Sequence, residues 1–95
     1  MIKHVYLIQL KDRSLAAACM ERIRSLQEHI PEIYRVEVGA DFVGAAASYD
    51  VIEICEFRTQ ADFEVFTAHP YHDEIRKYIG SVKKNAVKVD YITEP

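Results

Sequence analysis

Residues 2–10, Ile-Lys-His-Val-Tyr-Leu-Ile-Gln-Leu, place Ile2, His4, Tyr6, Ile8 and Leu10 on one side of an extended chain. A period of two in a β-branched and aromatic run predicts a strand. The other side carries Val5 and Leu7 among Lys3, Gln9 and Lys11. A sheet face turned to water should be mostly polar, so a second layer is expected over it. Ser14 then offers an N-cap, and Leu15, Cys19, Ile23, Leu26 and Ile30 recur at spacings of three and four, which predicts one amphipathic helix ended by Pro31.

A second strand is expected from Ile33 to Ala40, with Val36 and Val38 on one face and Arg35 and Glu37 on the other. The stretch Gly44-Ala45-Ala46-Ala47-Ser48 is too short to hold a helix alone and reads as a loop before a third strand from Tyr49 to Phe57. Thr59 with Asp62 outlines a capping box for a second helix carrying Phe63 and Phe66. His69-Pro70 breaks that helix before Ile75, Tyr78, Ile79 and Val82 resume the helical spacing. The alternation of Val87, Val89 and Tyr91 against Lys88, Asp90 and Ile92 predicts a last strand from Ala86 to Ile92.

The order β-α-β-β-α-β defines an α+β, ferredoxin-like arrangement: a four-stranded antiparallel sheet with both helices on one face, built as one domain over residues 1–95. Two helices cover one side of such a sheet. Burying the other side, with Val5 and Leu7, against a second copy predicts a homodimer through the helix-free sheet face.

Composition narrows the function classes. With 12 Lys+Arg against 15 Asp+Glu, the net charge of -3 gives no electrostatic basis for gripping a phosphate backbone, so nucleic acid is not an expected partner. The apolar runs fall well short of the roughly 20 residues of a membrane span, and no signal-peptide pattern opens the chain, so no membrane and a cytoplasmic location are expected. Cys19 and Cys55 lie among apolar neighbours and read as reduced, buried thiols. No Gly-rich phosphate loop, nucleotide fingerprint, G-x-S-x-G or H-E-x-x-H occurs, so neither a cofactor nor a metal is expected.

Five segments carry a family likeness: Ile2-Lys3-His4-Val5, Val36-Glu37-Val38-Gly39, Tyr49-Asp50, His69-Pro70-Tyr71-His72 and Val89-Asp90-Tyr91. In this order, from His4 to Tyr91, they resemble the Dabb family of stress-responsive dimeric α/β-barrel proteins. The resemblance implies a ferredoxin-like monomer whose sheet closes a barrel with that of a second subunit. Many members have no defined activity. A plant member, olivetolic acid cyclase, closes a polyketide by aldol condensation with a His of an H-P-x-H motif and a nearby Tyr. His72 matches that His and His4 matches another pocket His, whereas Phe66 stands at the position of the catalytic Tyr and Val51 at that of a further His.

The candidate site follows. An imidazole titrating near 6.5 can act as a base when a pocket exposes it, so His4 is either a hydrogen-bonded core group or a pocket group, and His72 either a general base or a structural residue. His69, at the break before Pro70, is placed to bond a freed backbone group. His4, Tyr6, Phe63, Phe66, His69 and Tyr71 form the expected lining of a pocket for a small apolar or aromatic molecule. Glu53, between Ile52 and Ile54, either points into the dimer or pairs with a cation such as Lys88. Two functions are carried forward: a homodimer that binds a small hydrophobic ligand, or a cofactor-free cyclase or isomerase with His72 as its base.

Overall fold

The structure, a computed structural model, describes residues 1–94. Its elements run β1 (Ile2–Leu10), a 3-10 turn (Arg13–Leu15), α1 (Ala16–Arg24), α2 (Leu26–His29), β2 (Arg35–Ala40), β3 (Val51–Phe57), α3 (Gln60–Ala68), α4 (Pro70–Val82) and β4 (Lys83–Ile92). The strands form one antiparallel sheet in the order β2-β3-β1-β4, the ferredoxin-like topology expected from the element order. No helix of the described residues is long and apolar enough to cross a membrane.

The even-numbered side of β1 faces the helices. Ile8 and Leu10 are buried there with Val51, Cys55 and Phe57 of β3, and Cys19, Ile23, Leu26, Phe66, Ile75 and Ile79 close the core from the helices. The other side of the sheet has no helix over it. Antiparallel register sets Val5 opposite Ile54 and Val89, and Leu7 opposite Ile52 and Val87, giving a continuous apolar row across three strands. Val87, Val89 and Tyr91 are 49%, 61% and 43% exposed.

Several boundaries differ from the sequence expectation. The first helix does not begin at a Ser14 cap: the Asp12 carboxylate accepts from the Ser14 amide at 2.9 Å and caps a 3-10 turn instead. It also divides at Ser25, whose hydroxyl donates back to the Arg22 carbonyl and competes with the helical ladder. The break at His69-Pro70 is real, with His69 as the N-cap of α4. The last strand starts three residues before the expected Ala86, because β1 extends far enough to pair with it: Gln9 faces Asn85 and, past an irregularity, Leu10 faces Lys83.

The β2–β3 connection is braced from the first turn. Arg13 reaches the Asp41 carboxylate at 3.1 Å and the Asp50 carboxylate at 3.4 Å. Asp41 also accepts from the Gly44 amide at 2.7 Å, and Gly44 takes a φ of 69°, a conformation that favours glycine. Asp50 turns inward and accepts from the Leu10 amide at 2.7 Å, tying the end of β1 to the start of β3.

Candidate functional site

Helix α4 presents His72, Ile75, Arg76 and Ile79 at helical spacing toward β1 and β4. With His4, Tyr6, Glu53 and Lys88 from the sheet they enclose a cavity of about 200 Å³. That is room for a small molecule, roughly seven waters at about 30 Å³ each. A wider depression of about 530 Å³ beside Pro31–Tyr34, Arg58 and Asp62 is an open surface groove whose titratable groups, Glu32, Tyr34, Arg58 and Asp62, are none of them buried.

Register explains how the polar groups meet. His4 stands opposite Cys55 on β3 and Asp90 on β4, and Tyr6 opposite Glu53 and Lys88, so all of these share the helix-facing side. The His4 ring is held between two carboxylates: Nδ1 lies 2.5 Å from Asp90 Oδ1 and Nε2 lies 3.5 Å from Glu53 Oε2. Burial of Asp90 raises its carboxyl pKa, but hydrogen bonds from His4 and Lys88 outweigh that and the net shift is downward. Glu53 moves the other way. It is 2% exposed, and burial pushes its pKa up although His4 and the Cys55 thiol oppose the rise. The Cys55 thiol donates to Glu53 Oε2 at 3.4 Å, and burial first, with the neighbouring Glu53 carboxyl adding to it, pushes both Cys55 and Cys19 up, Cys19 to about 11. Both cysteines are free and buried.

His72 sits at the third position of α4. Its Nδ1–H donates at 3.0 Å to the Phe66 carbonyl, which at the end of α3 also accepts from the His69 amide. A carbonyl only accepts, so the neutral ring carries its proton on Nδ1 and keeps a lone pair on Nε2. Burial and then the nearby Arg76 guanidinium push its pKa down to about 4, with the bond to Phe66 opposing. His72 is therefore neutral at physiological pH.

Of the expected pocket residues, the structure brings His4, Tyr6 and His72 to the cavity wall and sets four others elsewhere. Phe66 lies behind the wall, fully buried and stacked on His72 with ring centroids 3.9 Å apart. Phe63 packs edge-on against Phe57 at 5.4 Å and is a partly buried neighbour of the core. His69 accepts from the Tyr71 amide through Nδ1 at 3.0 Å, the backbone role its place before Pro70 suggested. Tyr71 turns toward the first helical segment, stacks on His29 at 3.8 Å and bonds the Ser25 hydroxyl at 2.6 Å.

Glu53, left open between two orientations by the sequence, faces the helices and pairs with His4, while Lys88 bonds Asp90 at 3.0 Å. Ile75, Arg76, Ile79 and Asp90 were absent from the sequence-based set. The first three were legible as neighbours of His72 on one helix face. Asp90 needed the β1–β4 register. Among the described residues no group of three or more His, Cys, Asp or Glu is gathered to hold a metal ion.

A single four-stranded antiparallel sheet in the order β2-β3-β1-β4, combined with helices, is a ferredoxin-like α+β domain. The chain belongs to the Dabb family, the stress-responsive A/B barrel domain, whose family model matches residues 2–93. It is similar to a dimeric protein of unknown function and ferredoxin-like fold from Bacteroides fragilis, with 25% identity, a TM-score of 0.79, and 95% of this chain and 93% of that one covered. A dimeric ferredoxin-like protein of unknown function from Thermobifida fusca is similar at 23% identity and a TM-score of 0.83, with 97% and 90% covered. So is the hydroxynitrile lyase of Passiflora edulis, at 20% identity and a TM-score of 0.85, with 98% and 93% covered. No curated protein matches the chain.

Proposed function

We propose that two copies of this chain pair through the helix-free sheet face and that each binds a small apolar or aromatic molecule in the cavity beside His72. The pairing is supported by the apolar row of Val5, Leu7, Ile52, Ile54, Val87 and Val89, and by the dimeric state described for the Bacteroides fragilis protein. Binding rests on one observation: His72 offers an unprotonated Nε2 at the wall of a cavity to which Ile75 and Ile79 give an apolar side. The two buried free thiols support a reducing, cytoplasmic setting.

Phenol is a fitting probe, since its ring suits the apolar wall and its hydroxyl can donate to Nε2. The imidazole resonances followed by NMR during a phenol titration should show His72 shifting to saturation while His29 and His69, outside the cavity, stay fixed. Four rings that ignore phenol, or that drift together without saturating, would remove the binding reading.

A second reading, a cofactor-free isomerase or cyclase with His72 as base, is favoured by the tautomer that the Phe66 carbonyl imposes. The Passiflora edulis protein is an enzyme on the same fold, and its likeness to this chain extends to the fold alone.

A further inference from the structure

Among the titratable groups lining the cavity is a buried carboxyl that binding by His72 does not use. Glu53 is enclosed between the sheet and the helices, lines the same cavity as His72, and engages His4 and Cys55 through Oε2 alone. An isolated carboxylate is expensive to bury, and a protonated carboxyl is far less so. Of the groups around it, Tyr6 and the Cys55 thiol are neutral, Lys88 is drawn to Asp90, Arg76 is engaged by Asp73 and the Thr67 carbonyl, and the His4 ring, bonded to Asp90 at Nδ1, opposes protonation from 3.5 Å without outweighing burial. Across the cavity, His72 is too weak a base to remove a proton from carbon unaided. Such a base needs an acid at the carbonyl oxygen, where the negative charge develops.

We propose that Glu53 is the proton donor of this cavity, paired with His72 as base, and that the ligand class is a small carbonyl compound that the pair enolises. The proposal rests on the binding reading above and extends it. In the forward step the C–H bond beside the carbonyl breaks and its proton passes to Nε2 of His72. The electron pair forms the C=C bond, and the Glu53 O–H proton moves to the carbonyl oxygen, leaving a neutral enol, a carboxylate and an imidazolium. The enol then returns its hydroxyl proton to Glu53 while His72 delivers its proton to carbon, so both groups are restored and no co-reactant is consumed. A carboxylic acid kept neutral by its surroundings is suited to this donor role. The carboxylate formed midway lies 3.5 Å from the His4 ring, which Asp90 holds in place.

The test uses cyclohexanone, about the size of phenol, with α-hydrogen exchange in D2O followed by NMR and the infrared spectrum read for a protonated carboxyl. The wild-type protein should exchange the α-hydrogens, His72→Ala should abolish the exchange, and Glu53→Val should slow it by about 100-fold while cyclohexanone still shifts the His72 resonance. A carboxylic acid band present at neutral pH should vanish in Glu53→Gln, and this arm decides the matter if Glu53→Val does not fold. Unchanged exchange in Glu53→Val, no exchange by wild type despite binding, or no acid band would each overturn the proposal and leave the binding reading intact. If neither cyclohexanone nor phenol moves His72, both fall.

Discussion

His72 and Phe66 are joined twice: their rings stack with centroids 3.9 Å apart and planes 20° apart, and the His72 Nδ1–H donates to the Phe66 carbonyl at 3.0 Å. One residue thus supplies the wall that dries the imidazole and the acceptor that selects its tautomer.

A pH dependence of stability follows. Folded His72 resists protonation down to about 4, whereas the unfolded chain takes the proton near its ordinary 6.5. Between those values the unfolded state binds more protons, so stability falls as pH drops through the window, by up to about 3 kcal/mol. Glu53, with its raised pKa, acts oppositely and favours folding at lower pH. Denaturant melts at about pH 7 and pH 4.5 should show His72→Gln losing less stability on acidification than wild type. Equal losses would mean that His72 titrates normally.

Phe66→Ala removes a fully buried ring that also packs on Phe57 at 5.0 Å. It should cost about 3–5 kcal/mol in chemical denaturation. The same change admits water to His72, so an NMR titration of the folded mutant should find the imidazole pKa raised toward the ordinary value. A mutant that is destabilised but leaves His72 unshifted would assign the desolvation to other neighbours.

His69 and His72 stand three positions apart and should behave differently. His69→Ala loses the N-cap bond to the Tyr71 amide and should cost about 1 kcal/mol. The phenol-induced shift of His72 should survive unchanged, because His69 does not line the cavity. Loss of that shift would place His69 in the binding site.

The open sheet face predicts a response to charge. Leu7→Lys or Val89→Lys places an ammonium in the apolar row, and light scattering should then fall from twice the 11.0 kDa chain mass to the single mass. Association unchanged in both variants would move the interface to another surface.

Much of this was readable along the chain. The period of two in residues 2–10 already put His4, Tyr6 and Ile8 on the helix side and Val5 and Leu7 on the other, because alternation in a strand is a local property. Pro70 likewise marked the break before α4, and the spacing of His72, Ile75 and Ile79 defined one helical face. Ser25 was a weaker signal, since a serine within a helix divides it only when its hydroxyl bonds the preceding turn, as it does here with Arg22.

The site itself belonged to tertiary structure. Asp90 reaches His4 across a separation of 86 residues, and only the pairing of β1 with β4 makes them neighbours. The fates of Phe63, Tyr71 and Glu53 were settled in the same way, by which helix face or strand came to lie against each. Periodicity tells which side of its own element a side chain occupies. The register between strands and the seating of α4 on the sheet determine what that side meets, and from there whether an imidazole is dried to neutrality and whether a carboxyl keeps its proton.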